Sequence, residues 1–159
     1  MAAFIKFQGI EGESGDNDHK KWSDLASFSQ PMYKPGSGTG QTRRRGDVVV
    51  DDMTITKELD KASPKLAEAI CGGKVFGTVN IELTASYGDA GRKTYYAYEL
   101  KNVQVVNYTV SGAGQSDEVP MEQVTLNFEE IKLTYTERKA GGDKVGTVDY
   151  AWKVEAATT

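Results

Sequence analysis

The 159 residues contain one cysteine, one histidine and two tryptophans. Cys71 alone cannot close an internal disulfide, which removes the small stapled scaffolds. A chain of this length can bury a sizeable core and needs neither disulfide nor metal to fold. No apolar run approaches the roughly 20 residues of a membrane span. The start, MAAFIKFQG, lacks a cationic region followed by a long apolar one, so a cleaved signal peptide is not expected. Basic charge is also short. Lysine and arginine number 19 against 23 acidic residues, for a net charge of −4. That balance speaks against a nucleic-acid or anionic-membrane partner. The first 80 residues carry 11 charges of each sign, so the acidic excess lies wholly in the second half.

Hydrophobic residues make up 38% and charged residues 26%, the composition of a globule, and the length fits one domain over 1–159. Its dominant period is two. Val79, Ile81, Leu83, Ala85 and Tyr87 alternate with polar residues, which reads as a strand with one buried face. Ile5 and Phe7 begin a shorter strand. Met53, Ile55 and Leu59 continue the pattern with Lys57 as an interruption, and Val148, Tyr150, Trp152 and Val154 repeat it near the end.

Two long stretches change phase. Val124, Leu126 and Phe128 are even, whereas Ile131, Leu133 and Tyr135 are odd, so a β-bulge is expected at Glu129–Glu130. Similar slips are expected near Lys101–Asn102 and Val105–Val106. Strands kinked in this way curl a sheet into a barrel or turn a sandwich corner. The expected fold is therefore mainly β, a compact barrel or sandwich of two curled antiparallel sheets.

One helix is predicted over about 64–71, with Ser63 as N-cap and Pro64 at the first position. Leu66, Ala69 and Ile70 form its apolar stripe, and Gly72–Gly73 its stop. Residues 34–47, KPGSGTGQTRRRGD, have almost nothing to bury, and a loop of that length is better explained by a partner than by packing. Asp117–Glu118 lie in a second flexible connection at 111–120.

Material for catalysis is thin. His19, among Asp16, Asp18, Lys20 and Lys21, reads as a hydrated loop histidine. Cys71, at a helix end without cations, reads as a small buried hydrophobe. Adjacent carboxylates such as Asp51–Asp52 and Asp117–Glu118 do not cooperate by default, since neighbouring strand residues point to opposite faces. Glu129–Glu130, at the expected bulge, is an exception in principle, but a curl-inducing bulge explains that pair without chemistry. Arg43, Arg44 and Arg45 are the one basic cluster. Docking on an acidic surface of another copy suits them better than nucleic acid, because no aromatics are interleaved. The glycines at 36, 38 and 40 are not followed by a phosphate-binding GKS or GKT. Tyr95, Tyr96 and Tyr98 place rings on both faces of one strand, as in a sheet partly covered by a partner. The residues alone lead to a β-protein that self-associates. A small hydrolase, a ligand-binding sandwich or a nucleic-acid binder acting through the arginines remain as alternatives.

Longer segments carry more. GESGDNDHKKW at 12–22, DKASPKLAEAICGGK at 60–74, YELKNVQVVNYTVSG at 98–112, EQVTLNFEEIKLTYTE at 122–137 and VDYAWKVE at 148–155, taken together, closely resemble the Hcp family of type VI secretion tube proteins. The resemblance implies a barrel-like core with one helix, shared with tail-tube proteins of contractile phages. It implies homohexameric rings stacked within a contractile sheath and capped by a spike. The tube would leave the cytoplasm without a signal peptide and carry or chaperone small effector proteins in its lumen. No catalytic centre, cofactor or membrane insertion is implied, and no toxin extension is expected after Thr159. In this reading the 34–47 loop projects toward the adjacent ring. Its arginines depart from the glycine-rich, largely uncharged loop of many relatives.

Overall fold

A computed structural model of the protein describes residues 1–34 and 48–154. Eleven strands, one α-helix and one 3-10 turn make up the described fold. In chain order the first strands are β1 (Ala2–Phe7), β2 (Ser23–Leu25), β3 (Ser27–Ser29), β4 (Met32–Tyr33), β5 (Val49–Val50) and β6 (Met53–Glu58). Helix α1 (Ser63–Gly72) follows. Then come β7 (Val75–Ser86), β8 (Arg92–Ser111), β9 (Met121–Asn127), β10 (Glu130–Arg138) and β11 (Lys144–Lys153), with the 3-10 turn Gly88–Ala90 joining β7 to β8.

The antiparallel main sheet has the order β2-β1-β7-β8-β9-β6-β3, while β10 pairs with β8 and carries β11 on its far side. Strands β4 and β5 form a separate two-stranded ladder. The two ends of the main path, β2 and β3, are separated by Ala26 alone, whose amide donates to Thr56 O at 2.8 Å. The sheet must therefore curl until its ends nearly meet. Phe28 of β3 stands over Tyr98 of β8, ring centres 6.0 Å apart. Among the described residues the ladder of hydrogen bonds does not close, so the expected barrel is a strongly curled open sheet.

Period-two alternation explains the core. Ile5, Val79, Ile81, Leu100 and Ile131 meet Met53, Ile55, Val124 and Leu126 across the curl, all of them buried. Burying such side chains stabilises by about 1.5–3 kcal/mol each. The phase changes take two forms. At Val105/Asn107 the register with β9 slips by one residue, leaving Val106 as the extra, exposed residue of a bulge. At Glu129–Glu130 no residue is inserted, since Asn127 faces Gln104 and Glu130 faces Lys101, three steps apart on both strands. Phe128 and Ile131 are nevertheless both buried. The partner strand changes phase at the same place, because Asn102 adopts φ 52° and lets Leu100 and Val103 both point inward. The break is shared by two strands, which corrects the expectation of a one-residue bulge.

Helix α1 begins one residue earlier and ends one later than predicted. Ser63 is not its N-cap. Ala62 holds that place without a side-chain bond, and the turn is built instead by Asp60, whose Oδ1 accepts from the Ala62 amide at 3.0 Å. Ser63, buried, returns its hydroxyl oxygen to the Asp60 amide at 3.1 Å. Gly73, with φ 66°, ends the helix in the left-handed conformation and donates to Ala69 O. Leu66 and Ala69 are fully buried, whereas Ile70 is half-buried against the same core. Leu66→Ala should therefore cost about 2–5 kcal/mol in chemical unfolding. Ile70→Ala should cost about 1 kcal/mol, since half its side chain is already in water.

Candidate functional site

Two polar networks and one apolar face stand out. The first network is centred on Lys57. Its side chain stays on the apolar face of β6 and is wholly buried, so Lys57 belongs to the core instead of interrupting it. The ammonium lies 2.8 Å from Asp60 Oδ1 and in direct contact with the buried Glu122 carboxylate. Glu122 Oε2 also accepts from the Tyr108 hydroxyl at 2.5 Å, and Asp60 Oδ2 accepts from Ser23 at 2.7 Å. Five segments are thereby tied to one cation. Burial works against the charged form of Asp60, but hydrogen bonds from Lys57, Ser23 and the Ala62 amide outweigh it and hold the carboxyl below its ordinary range. Burial, helped by the acceptor Glu122, pushes the Tyr108 phenol up to about 12.

The second network is built on His19. It is buried, against the expectation of a hydrated loop histidine. The imidazole stacks on Phe4 with ring centres 4.3 Å apart and meets Trp22 edge-on at 4.9 Å. Its Nδ1 lies 2.6 Å from Asp16 Oδ2 and its Nε2 2.8 Å from Glu82 Oε2. The hydrogen bond from His19 holds the Asp16 carboxyl below its ordinary value, against a smaller effect of burial.

The apolar face begins inside the core and runs out of it. On one side of the sheet, Leu100, Ile131 and Trp152 form a row across β8, β10 and β11, followed by Tyr98, Leu133 and Tyr150, then Tyr96, Tyr135 and Val148. Exposure climbs from 1% at Ile131 to 48% at Tyr135, 55% at Tyr150 and 73% at Val148. Strand β11 pairs with β10 alone among the described residues, leaving its other edge open. Contiguous exposed apolar surface of this kind marks a contact site.

The other residues singled out in the sequence are scattered. Arg43, Arg44 and Arg45, with most of the 34–47 loop, lie outside the described residues. Asp117 and Glu118 are exposed, and Glu118 lines a groove with Ser111, Val119 and Met121. Glu129 accepts from Asn102 Nδ2 at 2.7 Å, while Glu130 sits between Lys101 and Lys153 in the ladder. Cys71 is exposed, not buried, because it falls on the outer side of α1. Among the described residues no group of three or more His, Cys, Asp or Glu side chains could hold a metal ion.

These features define a β-protein that presents a face and seals its polar groups into structural networks. The family model described as "Type VI secretion system effector, Hcp" matches residues 4–135. Protein hcp1 of Pseudomonas aeruginosa is 33% identical over 153 residues, which cover 95% of this chain and 93% of that one. A solved structure described as a type six secretion system protein has a TM-score of 0.89 at 26% identity, covering 98% of this chain and 97% of its own. Hcp1 from Salmonella typhimurium has a TM-score of 0.79 at 23% identity, covering 98% and 96%, and that likeness is one of fold. The chain belongs to the Hcp family, whose members are structural, non-catalytic subunits of the type VI secretion tube.

Removing the Lys57 charge strands two carboxylates in the core. Lys57→Met should cost about 3–5 kcal/mol in urea unfolding. Asp60 adds a pH dependence of definite sign. Its carboxyl is held lower in the folded protein than in the unfolded chain, so its contribution is present above the usual carboxylate range and lost as pH falls through the folded value. A Ser23→Ala variant should shift the acid-unfolding midpoint upward.

Proposed function

We propose that the protein assembles as homohexameric rings that stack into the inner tube of a type VI secretion apparatus. The whole chain, 1–159, acts as one structural unit whose curled sheet supplies the ring wall. The tube forms in the bacterial cytoplasm and is expelled by a contractile sheath, with a spike protein at its tip and small effector proteins carried in the lumen. Family membership supports this reading. The observation that carries it is the continuous apolar face of Tyr135, Tyr150 and Val148 beside the open edge of β11. A ring needs such a surface, because each subunit must bury one face against its neighbour. Apolar packing and strand contact would then hold the ring at any moderate salt.

Stacking of rings uses a different chemistry in this reading. Arg43, Arg44 and Arg45 of one ring reach carboxylates of the next, with Asp117 and Glu118 as the acceptors. Exposed ion pairs are worth about 0–1 kcal/mol each, but a six-fold ring repeats every one of them.

Native mass spectrometry of the 17.3 kDa chain should give a species of about 104 kDa, six copies in a closed ring. Val148→Lys together with Tyr150→Lys should give folded monomers, judged by an unchanged circular dichroism spectrum. A wild-type protein that is monomeric at micromolar concentration overturns the reading. Replacing the three arginines with serine should leave rings intact and shorten tubes in electron micrographs. Stacking of the wild type should weaken above a few hundred millimolar salt.

A further inference from the structure

The loop joining β1 to β2 has a lock that the tube reading does not require. It is held by its own backbone bonds, Gly12 N to Lys21 O at 2.7 Å and Ser14 N to Trp22 O at 2.8 Å. Lys6 Nζ of β1 donates to Ile10 O at 2.7 Å and to Lys21 O at 3.3 Å. Its tie to β7 is His19, bonded to Asp16 within the loop and to Glu82 on that strand. Glu82 and Trp22 then line a groove with Asn80, Glu99, Lys132 and Thr134.

Proton counting makes this tie conditional. A carboxylate accepts and cannot donate, so each of the two partners needs an N–H from the ring. A neutral imidazole has one N–H and an imidazolium has two. With either nitrogen bare, a ring lone pair would face a carboxylate at under 3 Å in a site closed by Phe4 and Trp22. Other charged groups around the ring are Lys6 on β1, Arg92 on β8, which acts on Asp16, and Glu99 on β8 across the groove.

We propose that His19 is a proton-operated latch, closed when both ring nitrogens carry hydrogen and opened by loss of either one, which releases the His19 end of the loop from Asp16 or from β7. The latch has two limits of opposite sign. Toward alkaline pH the ring gives up its second proton and one carboxylate loses its donor. Toward acid pH Asp16 takes a proton, and the stability it contributes is lost as pH falls through its lowered folded value. Between these limits the loop is fixed and the groove wall is complete.

The chain has a single histidine, so its ring can be observed without assignment ambiguity. Ring nitrogen chemical shifts of 15N-histidine-labelled full-length protein should report two N–H groups while the loop is closed. Hydrogen exchange read by mass spectrometry should show peptides covering 9–22 opening about tenfold as the ring titrates, after correction for intrinsic base catalysis, with β7 and β8 unchanged. Glu82→Gln decides the mechanism, since its amide can donate to a neutral ring and should keep the loop protected through the alkaline range. His19→Gln should abolish the pH dependence of loop exchange. A ring with one N–H while the loop is protected overturns the proposal. So does loop protection that ignores the ring's titration, or a Glu82→Gln protein that follows the wild-type profile.

Discussion

Burying the middle of a twenty-residue strand obliges its backbone N–H and C=O groups to find partners on both sides. Strand β8 meets that demand with β7 along one edge, and with β9 and β10 end to end along the other. The arrangement of the other elements follows from it. Because β9 and β10 share one edge of β8, the chain must change its buried face where one hands over to the other. The matching kink at Asn102 lets it do so without an extra residue in either strand. The bulge at Val106 adds twist, and the accumulated twist carries β6 and β3 round to face β8. The space so enclosed is filled by aliphatic and phenylalanine side chains from both walls, and α1 packs on β8 beside it.

The same spine separates two surfaces with different physical character. Where β8 pairs with β9 and lies under α1, its inward side chains are covered by the chain itself. Where it pairs with β10, the inward face continues through Tyr96, Tyr135 and Val148, and among the described residues nothing covers Tyr135 or Val148 fully. A protein that folded for its own sake would place polar residues there. Belonging to a family of secretion tube subunits gives those aromatic and branched residues a reason.

Much of this was legible because period-two patterning depends only on which residues avoid water. The long strands, the helix stripe of Leu66 and Ala69 and the expected places of phase change follow from such patterning, whereas the two- and three-residue strands β2 to β5 are too short to show a period. Polar residues were misread for the same reason. Lys57 looked like an error in a strand because its partners, Asp60, Glu122 and Tyr108, are brought to it by β8, β9 and the turn before α1. His19 looked hydrated among its charged neighbours, yet Glu82 lies 63 residues away in sequence and Phe4 comes from the first strand. One signal was present in the pattern. A lysine at a strictly inward position, between Ile55 and Leu59, points to a buried counter-charge more than to a break in the strand. Cys71 was misplaced because its neighbour Ile70 already stands at the margin of the stripe, and one further residue turns about 100° away from the core.

The joint at Ala26 has a mechanical consequence. Strands at the open ends of a sheet ordinarily peel away one hydrogen bond at a time, because the pulling force concentrates on the outermost pair. Here the two outermost strands are neighbours in sequence, so a load applied to either is transmitted through a single residue to the opposite margin of the curl. The ladders β1–β2 and β3–β6 must then yield in shear together, and the wall resists tearing as a hoop does, around its circumference.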